Sequence, residues 1–191
     1  MAGTPLLVPG FALSDALMAR APRVRLLLLD VDGVLTDGRV ILGNEDEHKA
    51  FDIKDGHGIK MLQRHGVAVG IITGRTSRAV ERRARELDIA HLYQGCSEKL
   101  PRCRQLLEEL ELSPDQAAYV GDDVVDLPIL LHVGLGIAVQ DAHPLVKRYA
   151  HWITPSPGGR GAVREACEAI LHAHGRYSDE MERYVNAPAD G

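Results

Sequence analysis

The residues able to do chemistry together fall into four clusters. Asp30 and Asp32 end the run Leu26-Leu27-Leu28-Leu29, Thr73-Gly74-Arg75 follows a second apolar run from Val67, Lys99 stands just ahead of Pro101, and Asp122, Asp123 and Asp126 follow a third from Ala117. Asp30 and Asp32 point in similar directions if the strand continues through them, whereas a turn beginning at Val31 would bring Asp32 over Asp30. Carboxylates that close repel, and at neutral pH they need a shared proton or a cation. Carboxylates, a lysine and a threonine at strand ends are the components of phosphoryl transfer. Mg²⁺ takes a few carboxylate and carbonyl oxygens and keeps its waters, while Lys99 and Thr73 could hold phosphoryl oxygens. Taken singly, each has a plainer reading: a solvated Asp-rich turn, a helix-capping Thr73, a surface Lys99, a helix start at Asp122–Asp126.

The elements around them have to bring these clusters to one place. A short unbroken apolar run ending in charge reads as a buried parallel strand, and in an open α/β sheet ligands bind beyond the carboxyl ends of such strands. Strands are expected at Leu26–Leu29, Val67–Thr73, Ile89–Gln94, Ala117–Gly121, Gly134–Val139 and His151–Thr154. Helical patterns alternate with them, notably Ser77–Leu87, the stretch after Pro101 and Ala162–Ala173. The expected fold is α/β, a Rossmann-like parallel sheet with helices on both faces. Between the first strand and the first helix, residues 39–53 read as an inserted β-hairpin around the acidic turn Gly43-Asn44-Glu45-Asp46. The helix is expected to follow Asp55-Gly56-His57-Gly58, where Asp55 and His57 either line the site's entrance or serve as a turn cap and a surface histidine. The domain is expected at 23–175, with a proline-containing N-terminal extension at 1–22, which has room for a short helix near Leu13–Arg20. A polar C-terminal tail, free to fray, occupies 176–191.

With 191 residues, 45% hydrophobic and 26% charged, the chain can bury one sizeable core. A net charge of -5 and 4% aromatic residues argue against an extended nucleic-acid surface. No apolar segment has the length of a membrane span, and the first residues lack the basic start of a secretion signal, so a cytoplasmic location is expected. Cys96, Cys103 and Cys167 follow neither CxxC spacing nor a disulfide framework and read as reduced thiols.

Read together, DVDGVLTD, ITGR, Lys99 and GDDVVDLP resemble, in order, the four motifs of the haloacid dehalogenase superfamily of phosphohydrolases. The resemblance implies Asp30 as nucleophile, Asp32 as acid and base, and Thr73 and Lys99 as phosphoryl ligands. It further implies Mg²⁺ held by Asp30, the backbone carbonyl of Asp32 and Asp122, with Asp123 or Asp126 orienting metal-bound water or Lys99. There is no room for a large cap domain, so the protein is expected to be capless. GRVILGNEDEHKAFDIKDGHGIKML and GGRGAVRE extend the likeness to a family of phosphatases acting on an eight-carbon keto-deoxy sugar acid 8-phosphate, which supplies lipopolysaccharide synthesis. That family implies a homotetramer whose subunits cover one another's sites, with Gly74 and Arg75 at the substrate end and Arg160 a candidate for the sugar carboxylate. A phosphatase for a nine-carbon sugar acid 9-phosphate would keep the same motifs. A non-catalytic phosphoaspartate regulator or assembly scaffold is the reading from another class, and Asp32 argues against the regulator because a neighbouring base shortens the life of an acyl phosphate.

Overall fold

The computed structural model describes residues 9–43 and 47–186. In chain order the strands are Leu26–Leu29 (β1), Ile41–Leu42 (β2), Glu47–His48 (β3), Ala68–Ile72 (β4), His91–Tyr93 (β5), Ala117–Gly121 (β6), Leu135–Ala138 (β7) and Trp152–Ile153 (β8). The helices are Asp15–Arg20 (α1), Ile53–Arg64 (α2), Arg78–Glu86 (α3), Lys99–Glu109 (α4), Leu127–Leu130 (α5), Pro144–Tyr149 (α6), Ala162–Ala173 (α7) and Tyr177–Val185 (α8), with short 3-10 turns between some of them.

Four leucines in a row leave β1 no polar face to turn to water, and all four are fully buried. The strand therefore sits centrally in a six-stranded sheet of order β5-β4-β1-β6-β7-β8, parallel throughout. Leu26 is opposite Ala68 on one side and Ala117 on the other. After β1 the chain builds outward first through β4 and β5, then returns to build through β6, β7 and β8. This reversal opens a crevice between the carboxyl ends of β1 and β6, where an open α/β sheet binds ligands. The helices pack around the sheet, and the α/β fold is as expected.

The hairpin is smaller than its stretch of sequence. β2 and β3 pair antiparallel, Ile41 with His48 and Leu42 with Glu47, and the expected turn falls largely on residues 44–46, outside the described residues. Ile53 is already helical, because Asp52 caps α2 by accepting from the Lys54 amide at 2.7 Å. Gly56 and Gly58, expected to precede the helix, lie inside it. A Cβ on Gly58 would come within 2.9 Å of the Arg164 Cα, so glycine permits the close crossing of α2 and α7, and that packing outweighs its poor helix propensity.

Both ends of the described chain are packed more firmly than their composition suggested. α1 is capped by Ser14, whose Oγ accepts from the Leu17 amide at 3.2 Å, and Leu17 and Ala21 are fully buried in the core. Within the polar stretch after 176, residues Tyr177–Val185 form α8. Glu180 on its inner face is fully buried and bonded to Arg64, to His65 at 2.9 Å and to the Tyr184 hydroxyl at 2.9 Å.

Candidate active site

β1 ends at Leu29, and Asp30 continues its ladder by donating its amide to the Val120 carbonyl at 3.1 Å. Beyond it the backbone turns sharply. The Val31 carbonyl accepts from the amides of Val34, Leu35 and Thr36, and Gly33 takes φ +91°. A side chain there would collide with Asp122, so glycine is what allows the β1 and β6 loops to meet. The outer wall of this turn comes from the far end of the chain. Gly159 donates to the Val34 carbonyl at 2.8 Å, and Gly158 donates to Asp141 Oδ1 at 2.9 Å. Gly158 lies so near Gly33 that a Cβ would overlap its carbonyl oxygen.

Asp30 is 6% exposed, and Lys99 at the start of α4 reaches it with Nζ 2.8 Å from Oδ1. The same ammonium lies 2.7 Å from Asp126 Oδ1, which also accepts from the Tyr119 hydroxyl at 2.6 Å. Asp126 Oδ2 accepts from the Asp122 and Asp123 amides at 3.0 and 3.3 Å. Four donors thus hold Asp126, which is fully buried. Asp123 is exposed and caps the following turn, accepting from the Val124 amide at 2.7 Å. Asp122 differs: its Oδ1 is buried and, among the described residues, has no hydrogen-bond partner. Burial, reinforced by the negative charges of Asp126 and Asp30, pushes the Asp122 carboxyl up to about 8. Burial and the Asp126 charge push Asp30 up to about 6, against the pull of Lys99.

Carboxylate oxygens of Asp30, Asp122 and Asp126 lie within 4.8 Å of one another. Asp126 is already saturated by its donors and Asp30 shares the Lys99 ammonium with it, so the orphaned Asp122 oxygen is the group short of a positive partner. Hard oxygen donors without a thiolate or imidazole suit a small divalent cation such as Mg²⁺.

Thr73 is buried at the end of β4, its amide donating to the Tyr93 carbonyl at 3.0 Å. It lines a cleft of ≈ 360 Å³ with Asp30, Asp32, Gly74, Arg75, Lys99, Asp122 and Asp123. The structure therefore gathers every strand-end residue singled out in the sequence. Arg160 is not brought there; it is exposed and lines a neighbouring hollow of ≈ 410 Å³ with Asp37, Phe51, Asp52 and Lys54. Asp55 does not reach the cleft either. It is buried within α2, where Oδ1 accepts from the Arg164 amide at 2.8 Å and ties α2 to the first turn of α7. His57 faces the Tyr184 hydroxyl at 2.9 Å. A larger hollow, ≈ 570 Å³ between Lys60, Arg64 and His91, contains none of these groups.

Sequence comparison agrees with this geometry. Residues 89–165 match the haloacid dehalogenase-like hydrolase family. The 3-deoxy-D-manno-octulosonate 8-phosphate phosphatase KdsC of Yersinia pestis is 50% identical over 161 residues, covering 84% of this chain and 86% of the relative. The chain belongs to the KdsC family of haloacid dehalogenase-like hydrolases. The KdsC of Escherichia coli K12 is 48% identical over 167 residues, covering 87% of this chain and 89% of the relative. A KdsC-family crystal structure from Moraxella catarrhalis, in complex with a magnesium ion, a phosphate ion and a KDO molecule, superposes with TM-score 0.86 and 38% identity, covering 88% of this chain and 97% of that one.

Three residues of this KdsC-family site were missed in the sequence: Tyr119, and Glu47 and Lys49, whose side chains bond Arg75 and Asp32 respectively. Tyr119 reads there only as core. Glu47 and Lys49 were passed over as part of a hairpin, although charges two apart on a strand share a face and could have been flagged on that ground. Among the described residues no helix is long and apolar enough to cross a membrane, and all three cysteines are free thiols.

Proposed function

We propose that this chain is a magnesium-dependent phosphatase that hydrolyses 3-deoxy-D-manno-octulosonate 8-phosphate to the free sugar acid and phosphate, in the cytoplasmic supply of lipopolysaccharide precursors. The observation that carries the reading is the orphaned Asp122 oxygen beside a buried Asp30. Two carboxylates so placed are costly without a cation and well arranged with one. The Mg²⁺ would be held by Asp30, Asp122 and the backbone carbonyl of Asp32, and when bound it offsets charge on the phosphoryl group.

In the first step a carboxylate oxygen of Asp30 attacks phosphorus while the bond to the sugar's ester oxygen breaks. That oxygen takes its proton from Asp32, leaving an aspartyl-phosphate. In the second, water gives a proton to Asp32 and attacks phosphorus, and the bonding pair returns to Asp30 as phosphate departs. Lys99 and Thr73 hold the phosphoryl oxygens through both. Asp126, fixed by Tyr119 and two backbone amides, keeps Lys99 pointed at Asp30, while Asp123 shapes the turn. Arg75 and Gly74, which line the cleft, would meet the sugar acid.

The homotetramer belongs to the same proposal. β2 and its approach present Val40, Ile41 and Leu42, the last 83% exposed, an apolar strand that a solitary subunit would leave in water. Phosphate release across eight-carbon and nine-carbon keto-deoxy sugar acid phosphates, with and without Mg²⁺, tests the reading. Selective Mg²⁺-dependent turnover of the eight-carbon ester is expected, with none by a folded Asp30→Asn variant. Preference for the nine-carbon ester would overturn the substrate. Stable phosphoaspartate without phosphate release would favour a regulator.

A further inference from the structure

The hairpin places a lysine directly on the acid/base residue. Lys49 follows β3, and its side chain is only 1% exposed although the paired strand β2 is exposed. Strand alternation puts Glu47 and Lys49 on one face and His48 on the other. On that face the Lys49 ammonium bonds Asp32 Oδ1 and lies 3.3 Å from Glu47 Oε1. Glu47 Oε2 in turn accepts from Arg75 Nη2 at 2.5 Å, and Arg75 Nε lies 3.7 Å from Asp32 Oδ2. Asp32, Lys49, Glu47 and Arg75 thus close a ring of alternating charge over the mouth of the cleft.

The two cations in the ring are not equivalent. Arg75 has a half-exposed side chain and a longer approach to Asp32, whereas Lys49 is enclosed and in direct contact. An ammonium buried to that degree is tolerable only with its carboxylates in place, so its position and theirs are fixed together. Asp32 must present one carboxyl oxygen first to the leaving ester oxygen and then to water, and a misdirected acid or base loses most of its effect.

Resting on the phosphatase reading, we propose that Lys49 is a positioning residue that aims Asp32 for both proton transfers, delivered to the site by the inserted hairpin. Its action passes through Asp32, without contact with the phosphoryl group.

The test compares an alkyl and an aryl phosphate in rapid-mixing experiments on the Mg²⁺-loaded enzyme. p-Nitrophenolate leaves without a proton, so its ester needs Asp32 only for the second step. With Lys49→Met, kcat for the sugar acid phosphate is expected to fall about 10²-fold with KM within about threefold. On p-nitrophenyl phosphate the first turnover should stay within about threefold of wild type while the steady state slows about 10²-fold, giving a burst of one equivalent per site. Lys49→Arg, which keeps the charge, should recover at least about a tenth of wild-type kcat, and it carries the comparison if Lys49→Met does not fold. Equal slowing of both steps on p-nitrophenyl phosphate, as a structural defect would give, overturns the proposal. So does a raised KM at unchanged kcat, the mark of a substrate-binding cation. Wild type run in parallel separates the two readings: if it releases phosphate from no ester, the phosphatase assignment itself has failed.

Discussion

Replacing Asp122 by Asn should make the metal-free protein more stable while destroying its activity. The carboxyl of Asp122 ionises at 3.8 in an open chain and at about 8 in the fold, so between those values the folded state binds more protons than the unfolded one. Stability then falls as pH rises through that window. At pH 7 the cost of holding this carboxyl protonated in the fold is about 4 kcal/mol at about 1.4 kcal/mol per pH unit. Solvent on the partly exposed side of Asp122 screens it to about 2 kcal/mol. Asn keeps the shape and removes the charge, so melting in EDTA at pH 7 should rise by about 4–8 °C for a domain of this size. At pH 4, close to the open-chain value, the advantage should nearly vanish. Mg²⁺ should stabilise wild type by about 2.7 kcal/mol at a hundredfold excess over its Kd, with much less effect on Asp122→Asn. The assay is a thermal melt followed by circular dichroism, with and without Mg²⁺, at both pH values. An Asp122→Asn protein that melts no higher than wild type at pH 7, or that gains equally at pH 4, would refute the account of an uncompensated carboxylate awaiting a cation.

Two further outcomes follow from the packing. Gly158→Ala should place a methyl on the Gly33 carbonyl and push the turn after Asp30 aside; displacing reacting groups by about 1 Å costs about 10²-fold in rate, read as kcat in a phosphate-release assay on folded protein. Glu180→Gln leaves Arg64 without its buried counter-charge and should destabilise the protein by about 3 kcal/mol in urea unfolding. Burial works against the ionised form of Glu180, but bonds from Arg64, His65 and Tyr184 hold the carboxyl down at about 2. Its stabilisation should therefore be present above pH 4.5 and be lost as the pH falls toward 2, a loss that Glu180→Gln would not show.

Much of the site was legible because buried parallel strands write themselves as apolar runs. β1, β4 and β6 each announce where they end, and Asp30, Thr73 and Asp122 stand at those ends, so the topology converts three distant stretches into one crevice. Lys99 followed from Pro101 marking a helix start. The α2 boundary was hidden because Gly56 and Gly58 signal a turn until α7 is known to press against them. The C-terminal stretch reads as a tail because its one buried carboxylate, Glu180, finds its partners far back in the sequence. Asp123 and Asp126 could not be separated by spacing alone; the register of β6, which aims Tyr119 at Asp126, separates them. Lys49 and Glu47 stayed hidden for a related reason: a two-residue strand has almost no pattern of its own, and their meaning comes from Asp32 and Arg75.

The turn that follows Asp30 is braced by Gly158 and Gly159, and α2 is pinned to α7 through residues 109 apart in the chain. Asp30, Thr73, Lys99 and Asp122 have all been synthesised one residue after β6 is complete, yet the brace arrives only after β8. Contacts of such long range form late and slowly. A chain still leaving the ribosome, or one cut short before α7, would carry the full set of reactive groups without holding them in register, so the ability to cleave a phosphate ester serves as a report that the whole domain has folded.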